Sequence, residues 1–189
     1  MKSSQLINLL ENSPMVAAVK SDEGLQSCLQ SEVQVVFVLY GRINTIGSIV
    51  AKIKDAKKIG FVHIDLIDGL AAREAAIDFI LNFTLADGII STKPALIRYA
   101  KQQGLLTVQR FFILDSIALA NVQKQLAHDY ADLIEVLPGV MPKIIRMIAI
   151  DSLKPIIAGG LIQDKEDVVN ALGAGALAVS STNPKIWFL

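Results

Sequence analysis

The chain predicts a compact α/β fold, a (β/α)8 barrel with minimal loops and a short N-terminal helix. Three observations carry that expectation. Eight short aliphatic runs alternate with helical patterns along 189 residues. The composition is 52% hydrophobic but only 6% aromatic, the aliphatic bias of parallel strands covered by helices. Two late runs end in small residues, Pro155-Ile-Ile-Ala-Gly-Gly-Leu161 and Ala176-Leu-Ala-Val-Ser-Ser-Thr-Asn183. Alternating strands and helices pair parallel through right-handed crossovers, and a count of eight favours closure over an open sheet.

In chain order, residues 4–11 form a short helix with Leu6, Ile7, Leu9 and Leu10 as its apolar stripe, and Pro14 ends it. Strand one is expected at 15–19 and finishes at Lys20. Asp22 and Glu23 then open a helix with negative charge in its first turn, where the dipole favours it. Strand two spans 33–39, and a helix over 43–58 carries Ile46, Ile49, Val50 and Ile53 on one face. On that helix Lys54, Lys57 and Lys58 share a face that reads as solvated.

Strand three is expected over 61–67, with period-2 alternation placing His63 and Asp65 on one side. A helix at 71–81 and a strand at 87–92 follow. Pro94 suits the first helical position of the next helix, and Gly104 suits its C-terminal cap. Strand five spans 105–112, and its helix runs from Asp115, a plausible N-cap, to His128. Strand six covers 133–137 with Glu135 embedded in it. Pro142 begins a helix, 155–158 is strand seven, 164–171 a helix, and 176–179 strand eight. Asn183 and Pro184 open a last short helix. The units run without a linker, so a single domain over 1–189 is expected.

Composition narrows the partners. Eighteen basic and eighteen acidic side chains cancel, so any contact with a polyanion rests on a local patch. No apolar run approaches the roughly 18 residues that span a bilayer. The first residues are too polar for a signal peptide. The single Cys28 excludes an internal disulfide and fits a reducing compartment. No membrane partner and a cytoplasmic location are therefore expected.

In such barrels the strand C-termini form the functional rim, and the loops after strands seven and eight hold the common phosphate site. The rim positions here are Lys20, Asp65, Lys93, Arg110, Glu135, Gly159, Gly160, Ser180 and Ser181. Glycines let backbone N–H groups approach an anion, and serine hydroxyls add donors. Lys20, Lys93 and Arg110 could balance or grip the phosphate, while Asp65 and Glu135 could accept hydrogen bonds from ligand hydroxyls. His63 reads as a barrel interior residue, Cys28 as core. No metal or catalytic residue is expected.

Long segments resemble the glycerol-3-phosphate-responsive antiterminators, the GlpP-type regulators. They include Phe37-Val-Leu-Tyr-Gly41, Val62-His-Ile-Asp-Leu-Ile-Asp-Gly69, Asp87-Gly-Ile-Ile-Ser-Thr-Lys93 and Gln109-Arg-Phe-Phe-Ile-Leu-Asp-Ser-Ile-Ala-Leu119. Ile134-Glu-Val-Leu-Pro-Gly139, Met141-Pro-Lys-Ile-Ile145 and Ile156-Ile-Ala-Gly-Gly-Leu-Ile162 extend the resemblance over about residues 13–187. It implies a TIM-like barrel and a cytoplasmic bacterial regulator. The effector would be glycerol 3-phosphate and the target the leader mRNA of glycerol-catabolism genes, with termination prevented and the transcript stabilised. By the same resemblance, Gly159, Gly160, Ser180 and Ser181 would hold the phosphate, and Asp65 and Glu135 the glycerol. A homo-oligomer would bring two local basic patches together. The residues taken alone also fit a barrel isomerase or lyase on a small phosphorylated substrate. There Lys20 or Lys93 would serve as base or Schiff-base amine and Glu135 as acid or base.

Overall fold

A computed structural model describes residues 2–126 and 130–188. Its strands are β1 (Met15–Val19), β2 (Val35–Val38), β3 (Ile59–His63), β4 (Gly88–Ser91), β5 (Leu106–Phe112), β6 (Leu133–Leu137), β7 (Ile156–Gly159) and β8 (Ala178–Ser181). They pair parallel in sequence order and close, β8 against β1, into the expected barrel. The helices are α1 (Ser3–Asn12), α2 (Asp22–Gln30), α3 (Ile46–Asp55), α4 (Glu74–Phe83), α5 (Pro94–Gln102), α6 (Ser116–Leu126), α7 (Pro142–Asp151) and α8 (Lys165–Gly173). Among the described residues no helix is long and apolar enough to cross a membrane.

Local chemistry sets several of these boundaries. The Ser21 hydroxyl accepts from Gly24 N–H at 3.2 Å and starts α2. Gly104, at φ +86°, follows the end of α5, where an L side chain would be strained. Asp115 Oδ1 accepts from Ala118 N–H at 2.8 Å at the head of α6, as an N-cap does. The expected end of that helix, His128, lies outside the described residues.

Alternation along the strands divides the core. Val16, Ala18, Val35, Phe37, Phe61, Ile90, Leu106, Val108, Leu133, Ile157 and Ala178 fill the barrel interior as one cluster. Leu6 and Leu10 of α1 belong to the same cluster and close the barrel at its N-terminal mouth. Phe37 and Phe61 meet edge-to-face there, 5.6 Å apart. The other strand faces pack under the helices in two further clusters, one over β1–β4 and one over β5–β8. Cys28 is buried in the first, where desolvation pushes its thiol up to about 11.

Three expectations change. Strand three ends at His63, and Ile64–Leu66 make one 3-10 turn, so Asp65 does not continue the strand's alternation. Strand eight runs two residues later than expected, and Ser180 and Ser181 lie inside it rather than in a loop. The lysine face of α3 is not a solvated stripe. Lys54 Nζ binds the Asp87 carboxylate at 2.6 and 2.7 Å, and buried Lys58 donates to the Ser31 and Val33 carbonyls at 2.7 and 2.6 Å. Past the end of α3, Lys57 takes φ +59°, and Lys58 after it is buried.

Candidate functional site

Directly above the apolar interior, the same strands change chemistry. His63, Arg110, Glu135, Gly159 and Ser180 each stand two residues beyond an interior position: Phe61, Val108, Leu133, Ile157 and Ala178. Because side chains two apart on a strand share a face, these five form the top interior layer, toward the C-terminal rim. His63, Arg110, Glu135 and Ser180 are all buried.

Strand register brings the pairs together. Arg110 lies opposite Glu135, and Gly159 opposite Ser180. Arg110 Nε donates to Glu135 Oε2 at 2.6 Å, and the Ser180 hydroxyl donates to Oε1 at 2.6 Å. Both carboxylate oxygens thus have charged or hydroxyl partners, the condition for keeping a carboxylate below the surface. A Cβ on Gly159 would stand 2.5 Å from both Glu135 Oε1 and Ser180 Oγ, so only glycine fits there.

Above this layer a cavity of about 120 Å³ opens between the loops after β7 and β8. Arg110, Glu135, Gly160, Ser180 and Ser181 line it, together with Leu161, Ile162, Gln163 and Thr182. The two loops are stitched to each other. Ser181 Oγ donates to the Ile162 carbonyl at 2.8 Å, and Asn183 Nδ2 to the Gln163 carbonyl at 2.9 Å. Trp187 Nε1 donates to the Ser181 carbonyl at 2.9 Å from the final 3-10 turn. Gly160 and Leu161 both take positive φ, +77° and +63°. The N–H groups of Leu161, Ile162 and Thr182 find no acceptor among the described residues.

Three expected residues stand at the strand ends but do not line this cavity. The Asp65 carboxylate accepts from Ser91 Oγ at 3.0 and 3.1 Å and from Thr92 N–H and Oγ1 at 2.8 and 3.1 Å. It ties the loops after β3 and β4 together and does not line the cavity. Lys20 is exposed beside a neighbouring recess formed with Ser21, Thr182 and Trp187. Lys93 is exposed at the head of α5, its N–H bound to Ser91 Oγ at 3.1 Å. Thr182, in the small-residue run after strand eight, also lines the cavity, whereas sequence reasoning missed Leu161, Ile162 and Gln163. The signal available for those three was their place directly after the glycine pair.

His63 is 2% exposed. Burial, then the Arg110 charge, holds its pKa down at about 4, against a smaller opposing pull from Asp65. Among the described residues no group of three or more His, Cys, Asp or Glu side chains converges as a metal site would require.

Fold and cavity define a TIM-type (β/α)8 barrel with a small polar cavity at its C-terminal rim, between the seventh and eighth strands. The chain belongs to the glycerol-3-phosphate responsive antiterminator family, whose model matches residues 15–187. It is 46% identical over 184 residues to the Escherichia coli (strain K12) protein YgcP, covering 97% of this chain and 96% of that one. Among solved structures it resembles a glycerol uptake operon antiterminator regulatory protein from Listeria monocytogenes, with 31% identity, TM-score 0.89, and 93% and 95% of the two chains covered. A glycerol uptake operon antiterminator-related protein from Thermotoga maritima is similar at 32% identity and TM-score 0.79, over 92% and 96% of the chains.

Proposed function

We propose that the rim cavity binds glycerol 3-phosphate and that occupancy switches the protein to a state that binds leader mRNA of glycerol-catabolism genes, preventing termination and stabilising the transcript. The phosphate lies against the Gly159-Gly160 and Ser180-Ser181 segments, and the glycerol end reaches Arg110 and Glu135. The observation that carries this reading is the set of unpartnered N–H groups at Leu161, Ile162 and Thr182 around the cavity. Glu135 already balances the Arg110 charge, so an entering anion rests chiefly on neutral donors, as backbone nests and loop hydroxyls allow.

The protein acts as a single cytoplasmic domain and as a regulator rather than an enzyme. Lys20 and Lys93, the amines a Schiff-base or proton-transfer reaction would use, lie outside the cavity, which favours regulation. A dimer would pair local basic patches and so offset the zero net charge in RNA binding.

Thermal denaturation with glycerol 3-phosphate, glycerol or inorganic phosphate tests the ligand. Only the first should raise the midpoint strongly, by a stabilisation of about 2.7 kcal/mol at a hundredfold excess over Kd. A flat response to all three rejects the site. Leader-RNA affinity measured with and without glycerol 3-phosphate tests the switch, and indifference to the ligand rejects it.

A further inference from the structure

A second feature of the rim lies apart from the cavity, between the heads of α6 and α7. A groove of about 290 Å³ runs there, lined by Ile113, Leu119, Met141 and Ile144. Beside it three large apolar side chains stand in water: Leu114 is 85% exposed, Ile117 70% and Phe112 50%. Exposed apolar groups gathered at one place mark an interaction surface. The two walls also differ in charge. On the α6 wall, the exposed Asp115 lines the groove. On the α7 wall, Lys143 stands between the lining residues Met141 and Ile144. It is exposed and has no hydrogen bond or ion pair among the described residues.

A groove with an acid on one wall, a base on the other and apolar knobs beside it is complementary to itself. When a two-fold axis runs along such a groove, each wall of one copy meets the opposite wall of the other. Asp115 then faces Lys143 of the partner subunit, and the pair occurs twice. Leu114 and Ile117 of the α6 wall cover Met141 of the partner subunit and Ile144 of the partner subunit. We propose that the groove between α6 and α7 is the surface through which two copies of this chain form a symmetric dimer. Burial of the exposed aliphatics supplies the affinity, and the opposite charges fix orientation and register. A partner of a different kind would have no reason to match both signs; a second copy does so by symmetry. The assignment is independent of what the cavity between β7 and β8 binds.

Sedimentation equilibrium of the full chain over a concentration series tests it. Wild type should be a dimer. Lys143→Glu and Asp115→Lys, each alone, bring like charges together and should weaken dimerisation at least about tenfold. Mixed in equal amounts, the two variants should dimerise again, because every wall then meets its opposite charge. Asp115→Lys also removes the N-cap of α6, so Leu114→Asp, at an exposed loop position, provides an independent break and should give monomers. A wild type that stays monomeric at every concentration overturns the proposal and leaves the groove to a different protein. A dimer that persists in both Lys143→Glu and Leu114→Asp overturns it by placing the interface elsewhere. Folded single variants that remain apart when mixed refute the two-fold pairing. Should Asp115→Lys not fold, the Lys143→Glu and Leu114→Asp results decide.

Discussion

The lower and upper halves of the barrel interior are built by the same strands and differ in what they do. Below, Leu6, Leu10, Val16, Val35, Phe37 and Phe61 belong to an apolar cluster without a polar side chain. Above, one pleat further along, His63, Arg110, Glu135 and Ser180 replace the hydrocarbon. Apolar burial drives folding at about 25 cal/mol per Å². A buried ion pair contributes little net stability, since desolvation offsets attraction. The lower half therefore holds the fold, and the upper half is retained at some expense of stability, as the binding layer proposed above would be.

Substitutions at the two levels should separate these roles. Glu135→Ala leaves Arg110 buried without its partner and should destabilise by about 3–5 kcal/mol, the largest effect expected. The double variant Arg110→Met with Glu135→Leu replaces the pair by hydrocarbon and should recover most of that loss while abolishing glycerol 3-phosphate binding. Leu10→Ala, at the floor, should cost about 3 kcal/mol through the cavity it leaves, with ligand affinity unchanged in the folded protein. Chemical denaturation and calorimetric titration read both quantities. Were the double variant as unstable as Glu135→Ala, the ion pair would belong to the fold after all.

The acid range gives a third contrast. His63 has a folded pKa of about 4, below the 6.5 of the free side chain. Between those values the unfolded chain binds the proton that the folded one refuses, so stability falls as pH drops from 6.5 towards 4. The integrated loss approaches ~3 kcal/mol. Wild type should show this acid slope, and His63→Leu should flatten it. An equal slope in both would assign the acid sensitivity to carboxylates elsewhere.

Much of this was legible in the chain. Aliphatic runs broken by Gly, Pro and Asp gave eight strands and their order, and the charged residues Arg110 and Glu135 stood out because each is embedded in an apolar strand. Their pairing was not legible, because it depends on the register between β5 and β6, which no local pattern encodes. Ser180 and Ser181 read as loop by composition but belong to β8. Ser180 fits the interior because Gly159 beside it leaves room for the hydroxyl to reach Glu135. Asp65 was read as a rim residue from its place at the end of strand three; its bonds to Ser91 and Thr92 were not legible, because they depend on the 3-10 turn after β3. Lys58 looked solvated by helical spacing, yet it follows the left-handed Lys57 past the end of α3 and is buried.

The smallest expected effect bears most directly on how the upper half works. Leu161 holds φ +63° with a side chain 65% exposed, so the strained backbone is not repaid by packing. A left-handed conformation at a residue with a Cβ costs roughly 1–2 kcal/mol. Leu161→Gly removes that strain but frees the backbone in the unfolded chain, so the net gain in stability should be under about 1 kcal/mol. If the strain serves to hold the Leu161 and Ile162 N–H groups ready for the phosphate, the glycine variant should bind glycerol 3-phosphate about threefold more weakly while being no less stable. Titration and thermal denaturation of the one variant give both numbers. Tighter binding by Leu161→Gly would mean that the loop is merely strained, and that the donors for the anion must be sought on the β8 side, at Ser181 and Thr182.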